Sequence, residues 1–257
     1  MTLSLDTKKH RPPRILIYAA HGLGKSTFGS LANNPVFIQT EDGLDALDVR
    51  AFPLAKSYED VMKYLGELCT ENHDYKTLVV DSLDWFEPLI WKKVMQDRPN
   101  SEKGQPVKTV DDYGYGRGYI YAMDYWDEYI RAINYLREER GMMIVQVAHA
   151  HVRKFENPET DVYDRYEIKL QKSASAKIQE HSDMVLFASY ATVVKREDKG
   201  FGAERKRAIG SGERLLYTEE RPAFVAKNRY GLPPEIPFDK EGKYWATIAN
   251  HVPYFNK

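Results

Sequence analysis

Residues 14–31, RILIYAAHGLGKSTFGSL, restrict this chain more than any other stretch. Four apolar residues, Ile15-Leu16-Ile17-Tyr18, read as a buried strand. A turn follows, Ala19-Ala20-His21-Gly22-Leu23-Gly24-Lys25-Ser26-Thr27, and then a helix start. Strand, glycine turn and helix in that order are the setting in which a phosphate-binding loop works. Backbone N–H groups from His21 to Ser26 are placed to wrap phosphates, with Ala20, Gly22, Leu23, Gly24 and Thr27 completing the loop. Lys25 is placed to reach the β- and γ-phosphates, and the Ser26 hydroxyl to sit on Mg²⁺. Ala19 stands where the strict pattern G-x-x-x-x-G-K-[ST] has its first glycine. Alanine suffices there as long as φ stays negative.

The rest of the chain alternates strand and helix patterns. Residues 36–40 predict a second strand, ending in Glu41-Asp42-Gly43. Tyr58, Val61, Met62, Leu65, Leu68 and Cys69 recur at helical spacing behind Ser57 and Asp60, an N-cap pair. Residues 77–82 predict a third strand, closed by Asp81, and 84–95 a helix. An irregular stretch at 97–118 precedes a helix over 119–140, with Ala122, Trp126, Tyr129, Ile133 and Leu136 on one face and Gly141 as its stop. A fourth strand at 142–147 leads into Ala148-His149-Ala150-His151. A polar stretch at 152–182 holds a short helix near 174–181. Strands are expected at 183–188 and 192–195, a basic loop at 200–212, and a last central strand at 223–226. This alternation argues for an α/β fold with a mostly parallel central sheet, helices on both faces and antiparallel hairpin strands toward the C-terminus. The expected division is a tail at 1–13, a core at 14–238 and a second tail at 239–257.

Composition narrows the function classes. With 257 residues the chain suits one large α/β domain, and 37 basic against 38 acidic residues leave a net charge of -1. Contact with nucleic acid must then come from local patches. One cysteine, Cys69, excludes a disulfide framework and a cysteine zinc site and points to a reducing cytoplasm. No apolar run approaches the roughly 18 residues of a membrane span, and no signal-peptide pattern opens the chain.

Five positions carry chemistry beyond the loop. Asp81, ending an apolar strand, suits Mg²⁺ held through water; a helix-capping surface Asp is the weaker reading. Glu41 either activates the attacking water or is an exposed residue of a Glu-Asp-Gly turn. His149 ends a strand on the sheet edge of the phosphate loop, where a group could sense the γ-phosphate. His149 and His151 lack a third Cys or His for a metal site. Lys227 and Arg229 read, on local grounds, as a basic turn at a strand end.

Taken together, these pieces resemble the RecA-like core ATPases, and most closely phage ATP-binding recombination proteins grouped with Sak-type annealing proteins and with RecA and RadA relatives. Residues 19–27 look like the phosphate loop, 37–43 like the strand ending in the catalytic Glu, and 78–82 like the second Walker motif. Gln146-Val147-Ala148-His149 matches the γ-phosphate sensor, and Ala226-Lys227-Asn228-Arg229-Tyr230-Gly231 resembles the Lys-Asn-Arg motif. The resemblance implies ATP with Mg²⁺, Glu41 as the water-activating group, and Lys227 and Arg229 as cations reaching the ATP of a neighbouring subunit. It further implies a homo-oligomer, ring or filament, acting on single-stranded DNA in phage recombination or replication in the host cytoplasm, with a single-strand binding protein as a further partner. Loops at 97–118 and 152–175 would contact the strand, through Tyr113, Tyr115 and Tyr119 in the first and Arg153, Lys154, Tyr163, Arg165, Tyr166, Lys169 and Lys172 in the second. Arg205-Lys206-Arg207 is either a phosphate contact or a solvated hairpin tip. Alternatives on the same core are a DNA-repair or helicase-loader ATPase, or a nucleotide-dependent binding protein with negligible turnover.

Overall fold

Apolar residues recur at alternate positions of the first strand, and each set buries against a different helical layer. The computed structural model describes residues 10–158, 161–198 and 204–256, without the side chains of 192–211. Strand β1 (Arg14–Ala19) turns Leu16 and Tyr18 to one face of the sheet and Ile15, Ile17 and Ala19 to the other. Parallel strands buried on both faces read as continuous apolar runs, as here.

Helix α1 (Lys25–Ser30) leads to β2 (Pro35–Gln39) and the two-residue β3 (Arg50–Ala51). Helix α2 (Tyr58–Thr70) starts at the expected pair: Ser57 Oγ accepts from the Asp60 N–H, and the Asp60 carboxylate accepts from the Ser57 N–H. Strand β4 (Thr77–Asp81), helix α3 (Leu83–Asp97) and helix α4 (Arg117–Glu138) follow, with Gly141 at φ 65° after α4. Then come β5 (Met143–Phe155), β6 (Tyr163–Ile168), α5 (Lys172–His181), β7 (Met184–Asp198), β8 (Glu204–Tyr217), β9 (Lys227–Asn228), β10 (Glu235–Pro237) and α6 (Tyr244–His251). The strand order is β10-β8-β7-β1-β5-β4-β2-β3. The run from β7 to β3 is parallel, and β8 and β10 add antiparallel strands at one edge. The fold is the expected α/β arrangement with a mostly parallel sheet, and β5 is inserted between the loop-bearing β1 and the Asp81-bearing β4.

Three segments differ from the sequence expectation. The polar stretch after Val152 is not a loop: β5 runs on to Phe155 and pairs antiparallel with β6. Most of 200–212 is strand β8, paired along β7 with a register shift between Tyr190 and Thr192. Neither stretch alternates apolar and polar residues, so its sequence carries no strand signal. The side chains of Arg205-Lys206-Arg207 lie outside the described residues. The apolar run 223–226 is not a central strand. The Val225 N–H and C=O bond instead to the Tyr18 hydroxyl, at 3.0 and 2.6 Å, while Phe224 and Ala226 bury in the core.

The segment from 239, read from sequence as a tail, carries α6. Tyr244, Ile248 and Val252 are buried, and the Trp245 indole N–H donates to the Phe28 carbonyl at 3.1 Å. Helices α2 to α5 cover one face of the sheet, leaving the other to α1 and α6. A six-residue α1 is too short to cover that face alone, so α6 is a required wall of the core. Of the expected N-terminal tail, residues 1–9 lie outside the described residues.

Candidate active site

The phosphate loop leaves β1 at buried Ala19 and enters α1 at Lys25. Gly22 and Gly24 take positive φ, 74° and 98°, which is where glycine is required. Ala19 does not, so its missing glycine costs nothing in backbone strain. Among the described residues no side chain caps the start of α1. Lys25 is buried, and its ammonium rests on the Ala19 and Ala20 carbonyls at 3.4 and 3.1 Å. Burial pushes its pKa down, against the attraction of Asp81, Asp84 and Glu41.

Two neighbouring strand ends bring the carboxylates to this lysine. Ser26 Oγ donates to Asp81 Oδ2 at 2.6 Å. Burial pushes the Asp81 carboxyl up, partly offset by the Ser26 bond. Thr40, after β2, clasps Ser82, after β4: its hydroxyl donates to the Ser82 carbonyl at 2.7 Å and accepts from the Ser82 N–H at 2.9 Å. That clasp fixes Glu41 beside Asp81, and Ser82 Oγ donates to Glu41 Oε2 at 3.3 Å. The peptide between Asp81 and Ser82 is cis.

His149 reaches the same place from β5, where Ala19 pairs with it. Its Nδ1 lies 3.9 Å from Glu41 Oε2 and 3.1 Å from Asp84 Oδ2, and its backbone N–H donates to Asp84 Oδ1 at 2.9 Å. Burial would raise the Asp84 carboxyl, but the His149 ring and backbone outweigh it and hold it below the usual range. A cavity of about 360 Å³ collects Lys25, Ser26, Glu41, Asp81 and His149 with an apolar wall from Leu44 and Leu47. Thr40, Asp84 and that wall escape sequence reasoning. Asp84 read only as a helix start, because nothing local shows that its partner lies 65 positions on.

The expected neighbour-reaching cations are elsewhere. Lys227 donates to the Gln179, Glu180 and Ser182 carbonyls at 2.9, 3.0 and 2.7 Å, capping the C-terminus of α5. Arg229 pairs with Asp183 at 3.2 Å, beside Arg14 at the start of β1. Six residues of strand put that end roughly 16 Å from the phosphate loop. Lys227 therefore has its donors engaged as a cap instead of standing free. The first expected strand-contact loop is also partly internal: Tyr113 is buried and donates to the Arg98 carbonyl, while Tyr115 is exposed.

The sequence profile of the AAA domain matches residues 11–230, the span that holds every group above. The chain belongs to the AAA domain family. The phosphate loop at 19–27 lies inside that match. It is 27% identical over 221 residues to the SPbeta prophage-derived uncharacterized protein YorG of Bacillus subtilis (strain 168). That alignment covers 84% of this chain and 59% of the relative, so the chain spans about three fifths of that protein's length. Among solved structures it is similar to the RadB recombinase, at TM-score 0.47 and 10% identity over 91% of this chain and 90% of that one. A second is the flagellar accessory protein FlaH from Methanocaldococcus jannaschii, at TM-score 0.39 and 11% identity over 89% and 85%.

The donor set of this AAA domain suits a magnesium nucleotide. Ser26 and Asp81 offer one hydroxyl and one carboxylate, the sparse protein contribution Mg²⁺ takes when phosphates and water supply the rest. Among the described residues the Lys25 ammonium, its pKa pushed down by burial, bonds only the Ala19 and Ala20 carbonyls. Among the described residues no helix is long and apolar enough to cross a membrane.

Proposed function

We propose that this AAA domain hydrolyses ATP with Mg²⁺ and couples the reaction to single-stranded DNA. The convergence of Lys25, Ser26, Glu41, Asp81 and His149 on one cavity supports the hydrolytic half. Glu41 takes a proton from the attacking water as its oxygen bonds to the γ-phosphorus, and the bond from that phosphorus to the bridging oxygen breaks, leaving ADP and phosphate. Lys25 offsets the charge developing on the phosphoryl oxygens. His149, oriented by Asp84, is the group set to contact the γ-phosphate. Ser26 and Asp81 would hold magnesium, which supplies further positive charge at the phosphates when bound.

The observation that favours a nucleic-acid strand is the continuity of β5. The strand carrying His149 runs without a break into the β5–β6 ribbon, which bears Arg153, Lys154, Tyr163 and half-exposed Tyr166. Lys169, at the ribbon's return, approaches Asp84 Oδ2 at 3.7 Å. Cations with aromatic faces suit strand binding without sequence readout. The proposed oligomer is head to tail, with the opposite sheet end of one copy set against the phosphate loop of the next. Arg229, with half its side chain exposed, is the cation proposed to reach across; Lys227 is not.

ATP turnover measured with and without single-stranded DNA, across a salt series, tests the reading. Stimulation that fades as salt rises is the expected result. Turnover unchanged by the strand at every salt concentration overturns the DNA half, and no turnover overturns the hydrolytic half.

A further inference from the structure

A second cavity, of about 210 Å³, adjoins the phosphate loop. Gly22, Gly24 and Thr27 line both cavities, but the rest of this wall is separate from the hydrolytic groups. It is built by Arg214 near the end of β8, by Asp239 and Lys240 after β10, and by Tyr244 at the start of α6. Tyr244 is the telling residue. It is 1% exposed, and its ring is stacked on Phe28 at 5.2 Å between centroids and 12° between planes. Its hydroxyl has no hydrogen-bond partner among the described residues, although the residue lines the cavity. Buried hydroxyls are costly to leave unpaired, and native structures supply them with a partner. Burial pushes the phenol well above its ordinary pKa, so it stays a neutral O–H able both to donate and to accept.

The neighbours of Tyr244 are held in place independently of any ligand. Arg214 Nη1 donates to the Leu23 carbonyl at 3.1 Å, with the guanidinium 5.5 Å above the Phe238 ring. Asp239 Oδ1 accepts from the Glu241 and Lys243 N–H groups at 2.8 and 3.2 Å, fixing the turn at the rim. The wall is thus preformed, and it offers donors and acceptors together.

The polarity of the phosphate loop says what enters. Glu41, Asp81 and His149 mark the γ end, so the rest of the nucleotide must leave the loop in another direction. Thr27, next after Ser26, opens onto the second cavity. We infer that this cavity receives the nucleoside end of the triphosphate, with the Tyr244 hydroxyl hydrogen-bonded to a polar atom of the ribose or base. The assignment rests on the nucleotide reading above. Tyr244 then distinguishes a nucleotide from a bare polyphosphate, because a site built around a hydrogen bond rejects ligands that lack it.

Equilibrium binding of ATP and of inorganic tripolyphosphate to the wild type and to Tyr244→Phe tests it, with thermal melting to confirm that the variant folds. ATP affinity is expected to fall about five- to tenfold while tripolyphosphate affinity stays unchanged. Unchanged ATP affinity, or equal weakening of both ligands, overturns the assignment. Photolabelling of the wild type with 8-azido-ATP needs no variant: label within 238–245 supports the assignment, and label at the Leu44 and Leu47 wall overturns it. If the wild type binds tripolyphosphate and ATP equally well, phosphate recognition stands and the nucleoside assignment falls. If it binds neither, the nucleotide reading fails and the assignment with it.

Discussion

Asp84 grips His149 twice, by the ring and by the backbone N–H, so one buried carboxylate fixes both the strand and the imidazole. Asp84→Asn is expected to lower kcat roughly 10- to 100-fold, the usual cost of losing such an orienting partner, with ATP affinity little changed. Steady-state kinetics beside equilibrium binding check it; lost binding with kcat preserved would place Asp84 in support of the loop instead. Glu41→Gln should keep binding and lose turnover by about 10²- to 10⁴-fold, measured the same way. Glu87 behaves differently. Its carboxylate accepts from the Gln171 N–H, and burial pushes it up to about 7 from 4.5. Between those two values the folded chain holds a proton that the unfolded chain has released. Its stability contribution is therefore full below pH 4.5 and lost as pH rises through about 7. Glu87→Gln keeps the acceptor and removes the titration. It should stabilise the protein at pH 8 by up to about 3 kcal/mol and much less at pH 5, as read by urea unfolding at both pH values.

Elements here begin where local chemistry tells them to, and the junctions between them are where single substitutions bite. The reciprocal Ser57 and Asp60 bonds start α2, and Ser57→Ala is expected to cost about 1 kcal/mol in urea unfolding. At the start of α4 the constraint is steric. A Cβ on Gly118 would lie 2.2 Å from the Val110 carbonyl oxygen and 2.8 Å from the Tyr113 ring. The short 3₁₀ turn Val110–Tyr113 packs that closely on the helix, so Gly118 must be glycine. The β5–β6 ribbon belongs to this scale too, since one unbroken strand links His149 to the exposed cations and aromatics.

For the molecule as a whole, the decisive feature is the unequal cover of the two sheet faces. Four helices lie on one side; α1 and α6 close the other. Tyr244, Ile248 and Val252 are each nearly or fully buried, and burial of one such side chain contributes about 1.5–3 kcal/mol. Their combined share is comparable to the roughly 5–15 kcal/mol that keeps a domain folded. Removing 239–257 should therefore abolish cooperative thermal unfolding. A truncated chain that still melts cooperatively near the wild-type temperature would show the face to be closed by other means.

The sequence by itself determined the phosphate loop, the strands that deliver Glu41, Asp81 and His149, and the start of α2. Each of these is local: a turn needing glycine, an apolar run closed by a carboxylate, or a cap pair three residues apart. It also determined that the sheet is mostly parallel and covered on both faces. Only the tertiary structure decided which residues serve those groups. Thr40 is matched to Ser82, Asp84 to His149, Val225 to the Tyr18 hydroxyl and α6 to the bare face over Phe28. It also set Lys227 on the carbonyls that end α5. Such pairings join positions far apart in the chain, and local periodicity carries no record of them. A hydrogen bond or a covered face is decided by what the folded backbone brings within reach.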